Sequence, residues 1–174
     1  NNKFKGECKC GTPHLTEEEI KAAFISATNK VVQDRDDVIA NLHEVQNEIS
    51  DTTALELDEQ RLINELNIVT ELVEAAISRN ARTAQNQKDY KKEYAELCAR
   101  YDNLRAQVEA VQAAIKEKNL RRHKIGQFIA GIEKMPSQIT EFDDAMWCYM
   151  VDHVTVYSKR DIRITFTSGT TIKA

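Results

Sequence analysis

Between Tyr90 and Ile115 the residues Tyr90, Tyr94, Leu97, Tyr101, Leu104, Val108, Val111 and Ile115 follow one another at steps of four and three. That spacing places all of them on one stripe of an α-helix, the a/d seam along which two helices wind together. The positions between are mostly Lys, Glu, Arg, Gln and Ala, which favour helix, and neither Gly nor Pro interrupts them. A seam of this period predicts a left-handed supercoil with a second helix. Which helix that is governs both fold and function.

A length of 174 residues suits one medium domain, or a small domain with an extended arm. Charged residues make up 30% and aromatic ones 6%, the balance of long solvated helices rather than of a compact globule. The formal charge of −4 gives no global pull toward nucleic acid. No signal peptide and no long apolar span is present, so the expectation is a soluble chain with no membrane partner. Of the four cysteines, Cys8 and Cys10 crowd the start while Cys98 and Cys148 fall in expected helices. That is no disulfide framework, and it points to a reducing cytosol. The sequence starts without Met, in the middle of a motif, and reads as a piece of a longer protein.

Taken in order, Thr12-Pro13-His14-Leu15-Thr16 predicts a helix start. Thr16 caps, Glu19 completes a capping box, Glu17 and Glu18 oppose the helix dipole, and Leu15 staples onto Ile20. The helix is expected to reach about Ser50. Phe24, Val31, Val38 and Val45 stand at heptad spacing; Ile20 and Ala27, then Leu42 and Ile49, supply the second row, with a one-residue slip at Asp34/Arg35. Asp51-Thr52-Thr53 interrupts, with Asp51 or Thr53 as the cap of a second helix. Leu55, Leu62, Val69 and Ala76 form one row of its seam, Leu66 and Val73 the other, and Leu72 and Ile77 widen the stripe.

Ser78–Asn86 holds no apolar residue larger than Ala and is expected to turn, with Asn80 as a left-handed terminator and Thr83 or Asn86 starting the next helix. The flanking arms, Thr53–Ser78 and Gln87–Ile115, are nearly equal in length, so the Tyr90 seam is expected to fold back on the Leu62 seam as an antiparallel hairpin about 40 Å long. The alternatives are two separate helices or one continuous helix that dimerises. Past Ile115 the seam lapses at Lys118 and Arg122 and resumes at Ile125, Ile129 and Ile132, in a helix that runs to Met135 and stops at Pro136. Thr140 is expected to cap a short helix through Trp147. Val154, Val156, Ile162, Ile164 and Phe166 then alternate with polar residues, with turns at Ser158–Asp161 and Ser168-Gly169. The fold class expected is therefore mainly α: a long antiparallel intramolecular coiled-coil hairpin on a small base of helix plus two or three short antiparallel strands, too few to be stable alone.

No catalytic constellation is present: no phosphate-binding Gly-rich loop, no metalloprotease helix motif, no nucleophile elbow. His14, His43, His123 and His153 are scattered, and the carboxylates lie on solvent faces. Cys8 and Cys10 could supply part of a zinc site, which needs four ligands; His14 is the only nearby addition, and cysteines upstream of Asn1 would be the better complement. Lys116, Lys118, Arg121, Arg122, His123 and Lys124 form a basic block, read either as a solvated helix face or as a phosphate contact. Lys3, Lys5 and Lys9 would lie near the same end.

Two stretches carry a family resemblance. Cys10-Gly-Thr-Pro-His-Leu-Thr-Glu-Glu-Glu-Ile20 resembles the segment that follows the last zinc cysteine of large serine recombinases, the serine integrases and transposases. Trp147-Cys-Tyr-Met-Val-Asp-His-Val-Thr-Val-Tyr157, with Ile162-Arg-Ile-Thr-Phe166 and Gly169-Thr-Thr-Ile172, is similar to the strands that complete their zinc-ribbon domain. A coiled-coil insertion lies between the two in that family, so the resemblance covers essentially the whole chain.

The resemblance implies three regions: residues 1–50, the distal part of the zinc-ribbon domain and its long helix; 51–120, the coiled-coil arm with its tip near 78–86; and 121–174, the return helix and C-terminal strands. Cys10 would be the final zinc ligand, Cys8 a possible one without a counterpart, and zinc would belong to the full-length protein with the site incomplete here. The serine nucleophile domain would be absent, so this stretch is not itself an enzyme. The arm would regulate synapsis and directionality through contacts between arms of different subunits, at a tip formed by Ile77, Arg79, Asn80, Ala81, Arg82 and Thr83. A hinge would lie at Ser50, Asp51 and Thr52 on one strand and at Lys118 and Arg122 on the other, where the apolar seam lapses. Lys3, Lys5, Lys9, Arg121 and Lys124 would be the DNA-proximal basic residues. The implied partners are other copies of the arm, a recombination directionality factor, and attachment-site DNA through the full-length protein, in the cytoplasm of a bacterial host and encoded by a phage or mobile element. The rival reading is a generic coiled-coil scaffold or adaptor.

Overall fold

The computed structural model describes residues 13–174. In chain order they form α1 (Glu17–Gln33), α2 (Arg35–Ser50), α3 (Thr53–Arg82), α4 (Gln87–Glu133), α5 (Asp144–Met150), β1 (Val151–Ser158), β2 (Asp161–Phe166) and β3 (Thr171–Lys173). The chain is mainly helical, with one small antiparallel sheet. It divides into two units: the described residues up to Asn47 together with Arg121–Ala174, and Glu48–Leu120.

The first unit is built from both ends of the chain. Thr16 starts α1 through a complete capping box: its side chain accepts from the Glu19 N–H, and the Glu19 carboxylate accepts from the Thr16 N–H. Ala23, Phe24, Ala27, Thr28, Val31 and Val32 recur at the spacing of one helix face, and all are buried. β2 is the central strand, with Val154 opposite Ile164, Val156 opposite Ile162, and Ile172 on the far side of Ile164. Its alternation buries Ile162, Ile164 and Phe166. α1 lies against β2 and β3, and Lys30 Nζ donates to the Lys173 carbonyl at 2.7 Å. Ile125, Phe128, Ile129 and Ile132 of α4 join this core, as do Ile139 and Met150. Phe24 meets Phe142 and Trp147 edge-on at 5.6 and 5.3 Å, the arrangement that aromatic quadrupoles favour. Gly169, at φ 92°, provides the left-handed residue that the tight β2–β3 connection needs.

Three local expectations change. The helix expected from Thr16 to Ser50 is two helices, with Asp34 between them at φ −98° and ψ 28°. The break falls at the one-residue slip of the apolar rows: a single straight helix cannot keep both rows buried, and the turn at Asp34 resets the phase. The short helix before the sheet begins at Asp144, not at Thr140, and the Asp143 carboxylate accepts from the Met146 N–H at 2.6 Å. Residues just before it are committed elsewhere, because Asn29 clamps the backbone of buried Ile139, donating to its carbonyl at 2.9 Å and accepting from its N–H at 2.7 Å. α4 ends at Glu133 rather than Met135; Lys134 and Met135 donate three residues back, to Gly131 and Ile132, in a tightened final turn. The freed carbonyls of Met135 and Pro136 accept from the Arg35 guanidinium.

In the second unit α3 runs antiparallel to residues 87–120 of α4. Arg79 pairs with Glu93 near the connection, and Gln112 donates to Glu59 near the other end. Leu62, Val69, Leu104 and Val108 form the buried cluster between them, flanked by Ile63, Leu66, Val73, Tyr101 and Val111. Each fully buried aliphatic side chain there contributes roughly 1.5–3 kcal/mol. Among the described residues no helix is long and apolar enough to cross a membrane.

Candidate functional site

The candidate site is the end of the α3/α4 pair, and its geometry differs from the loop expected over Ser78–Asn86. α3 continues through Arg82, so Ile77, Arg79, Asn80, Ala81 and Arg82 are helical; only Thr83 leaves the helix, as an extended C-cap with its N–H on the Arg79 carbonyl. Ser78–Arg82 holds no Gly or Pro, and among the described residues none but Gly169 adopts positive φ, so Asn80 is not a left-handed terminator. Instead its side-chain oxygen accepts from the Gln85 and Gln87 amides, both at 3.0 Å, and ties the connection to α3. Asn86 accepts from the Lys88 N–H at 2.9 Å at the start of α4. The Arg79 guanidinium meets Glu93 at 2.6 Å with both side chains about half exposed. Ala81, Arg82 and Thr83 are exposed, and so is Ile77, at 46%.

Below the connection the side chains leave part of the α3/α4 seam open. Where the side chains are Val73, Cys98 and Tyr101, an open hollow of about 410 Å³ remains, walled also by Thr70, Glu74 and Asp102. Tyr94, one turn nearer the connection, is 37% exposed and stacks at a tilt on Tyr90 with ring centroids 5.8 Å apart. Contact with the Cys98 thiol holds the Tyr94 phenol above its ordinary pKa. The heptad pattern alone did not show this hollow. The available signal was Thr70, Val73, Glu74 and Ile77 at steps of three, one and three, a second side of α3 beside the seam.

At the other end of the unit, the residues expected to form a hinge are partly brought together. α2 and α3 are separated at Asp51-Thr52. The Asp51 carboxylate accepts from the Thr53 N–H at 3.1 Å, which lowers its pKa, and the Thr52 hydroxyl bonds to Glu56 at 2.6 Å. Lys118 Nζ donates to the Asp51 carbonyl at 3.0 Å, joining the two expected hinge strands. On the α4 side the helix is unbroken at both Lys118 and Arg122. Ser50 is half-buried, and the Arg122 carbonyl accepts from Gln46 while its side chain is exposed.

Arg121 and Lys124 are exposed along α4 with Arg122 and His123. The other expected basic residues, Lys3, Lys5 and Lys9, and the thiols Cys8 and Cys10 lie outside the described residues. His14 is exposed, and among the described residues no group of three or more His, Cys, Asp or Glu side chains is placed to hold a metal ion. The zinc expectation therefore has no ligand set in this part of the chain. No family model, curated protein or solved structure matches the chain.

Proposed function

We propose that this chain is the regulatory arm region of a large serine recombinase, with a long α3/α4 coiled-coil hairpin whose end mediates contacts between subunits and thereby controls synapsis and directionality of site-specific recombination. One observation carries the reading: the described parts of two sequence-distant segments, each resembling that family, belong to a single unit, while Glu48–Leu120 form a separate helical pair. Glu19, in the first motif, reaches Lys159 at 3.6 Å, just beyond the Trp147–Tyr157 run of the second. A helical pair inserted into a small α/β unit is what a regulatory arm on a DNA-binding base requires.

The exposed end of the pair, Ile77 and Arg79–Thr83, offers only a small contact surface, and small contacts are weak. Weakness suits a switch, because several such contacts acting at high local concentration give affinity that one alone lacks. The break at Asp51-Thr52, opposite Lys118, is the bending point in this reading, and a directionality factor would act on the arm. Deleting Arg79–Thr83 from the intact recombinase should abolish pairing of two DNA-bound complexes in a gel-shift assay while leaving binding to a single attachment site unchanged. Loss of single-site binding instead would refute the role given to this end of the arm.

A further inference from the structure

The hollow on the α3/α4 seam is built in the same way from both helices. Thr70, Val73 and Glu74 on α3, and Cys98, Tyr101 and Asp102 on α4, each stand at steps of three and one, a single patch of helical surface. Each helix thus supplies one small side chain, one larger apolar wall and one carboxylate. The Arg79–Glu93 and Gln112–Glu59 contacts set the antiparallel register, which puts Glu74 level with Cys98 and Asp102 level with Thr70. The two carboxylates therefore belong to opposite corners of the hollow, separated by about 6 Å along the pair from the helical rise. Neither is neutralised. Among the described residues the ion-paired acids of this unit are Asp58, Glu65, Glu93, Glu96 and Glu109. Glu74 has no Lys or Arg three or four residues away on α3, and the one such neighbour of Asp102, Arg105, is committed to Glu109 at 2.9 Å.

Apolar walls of Val73, Cys98 and Tyr101 between two carboxylates that lack a cation are complementary to one kind of group, a flat cation on an apolar stem. We propose that the hollow takes an arginine side chain of a partner protein, its stem against Val73 and Cys98, its guanidinium on Tyr101 and its two edges toward Glu74 and Asp102. A guanidinium donates from both edges in one plane, which matches carboxylates at opposite corners; the point charge of a lysine does not. The hollow, about 410 Å³ and one helical turn long, admits one such side chain and not a helix, which is about 10–12 Å across. This rests on the reading that a directionality factor acts on the arm, and it names the side chain by which such a protein engages it.

Amide chemical shifts of the 174-residue chain, followed while the peptide acetyl-Ala-Arg-Ala-amide is added, test this. The shifts should centre on Val73, Glu74, Cys98, Tyr101 and Asp102, with a dissociation constant on the order of 10 mM. Citrulline in place of the arginine keeps the shape and loses the charge, and should bind about fivefold more weakly; lysine should bind about threefold more weakly. Glu74→Gln and Asp102→Asn should each weaken binding about threefold. Glu117→Gln removes the same charge roughly 20 Å along α4 and should change nothing. All three positions are exposed, so these substitutions leave the packed seam intact. Equal binding of the citrulline or lysine peptide, shifts scattered over other acidic faces, or an equal loss in Glu117→Gln would each overturn the proposal. Self-association of the chain that depends on Glu74 and Asp102 in sedimentation would overturn it as well, by making a second copy the occupant. Loss of synapsis on deleting Arg79–Thr83 from the intact recombinase, with no peptide shifts in the hollow, would overturn this contact alone. Arginine binding in the hollow of a protein that synapses normally without Arg79–Thr83 would leave the contact standing and remove the role given to the arm's end.

Discussion

At the scale of single residues the tightest constraint is at Gly131. A Cβ built there would overlap the Tyr149 ring and hydroxyl, because the tyrosine lies across α4 to donate to the Gln127 carbonyl. Partial burial raises the Tyr149 phenol, which keeps that donor protonated over the ordinary pH range. Helix propensity on its own would favour Ala over Gly by about 1 kcal/mol in mid-helix. Here the overlap should reverse the sign: Gly131→Ala should destabilise by roughly 1–3 kcal/mol. In a Tyr149→Ala background the same change should instead stabilise by up to about 1 kcal/mol. Urea denaturation of the four proteins in that cycle measures the coupling, and equal effects of Gly131→Ala in both backgrounds would show that the tyrosine is not the cause. A glycine inside a good helical sequence gives no hint of such a neighbour; only the fold reveals why it is there.

At the scale of elements, the heptad steps located the packing faces of α3 and α4 well. Leu62, Val69 and Ala76 from one row, and Leu104 and Val108 from the other, are buried as that spacing requires. The alternating strands and the turns at Ser158–Asp161 and Ser168-Gly169 were equally readable, since a period of two has few rival explanations. Helix ends were not. Thr140 and Asp143 are both good caps, and the choice fell to Asp143 because Asn29, far away in sequence, holds the backbone at Ile139. Ser78–Arg82 looked like a turn because it lacks large apolar residues, yet nothing in it opposes helix, so α3 simply runs on. The hollow beside Cys98 is likewise not encoded in a heptad. Leu62 and Val69 sit where the seam is well filled, so Leu62→Ala should cost about 2–5 kcal/mol and melt α3 preferentially. Hydrogen exchange would show this as lost protection in α3 and in the 87–120 part of α4, with the sheet unaffected. Uniform loss throughout the chain would mean that the two units unfold as one.

At the scale of the whole molecule, the chain begins and ends its described length in one unit and spends its middle in another. α4 belongs to both, running unbroken from Gln87 to Glu133. Its buried apolar residues fall into two groups, Leu104 and Val108 in one unit, and Ile125, Phe128, Ile129 and Ile132 in the other. Residues 116–124, between them, are exposed except for half-buried Lys118. A helical stretch with so few buried side chains gains little from packing and is held mainly by its own hydrogen-bond ladder, so its local opening costs less than that of the packed segments. Those amides should therefore exchange faster than the segments on either side, although the helix is continuous. The stretch also carries Lys116, Lys118, Arg121, Arg122 and Lys124, so brief trypsin treatment of the folded protein should nick it first, and protection equal to that of the flanking turns would contradict this account. Fraying in the middle of an uninterrupted helix would let each half of the protein repair or lose its own packing without dragging the other along, a fuse placed where the backbone looks most secure.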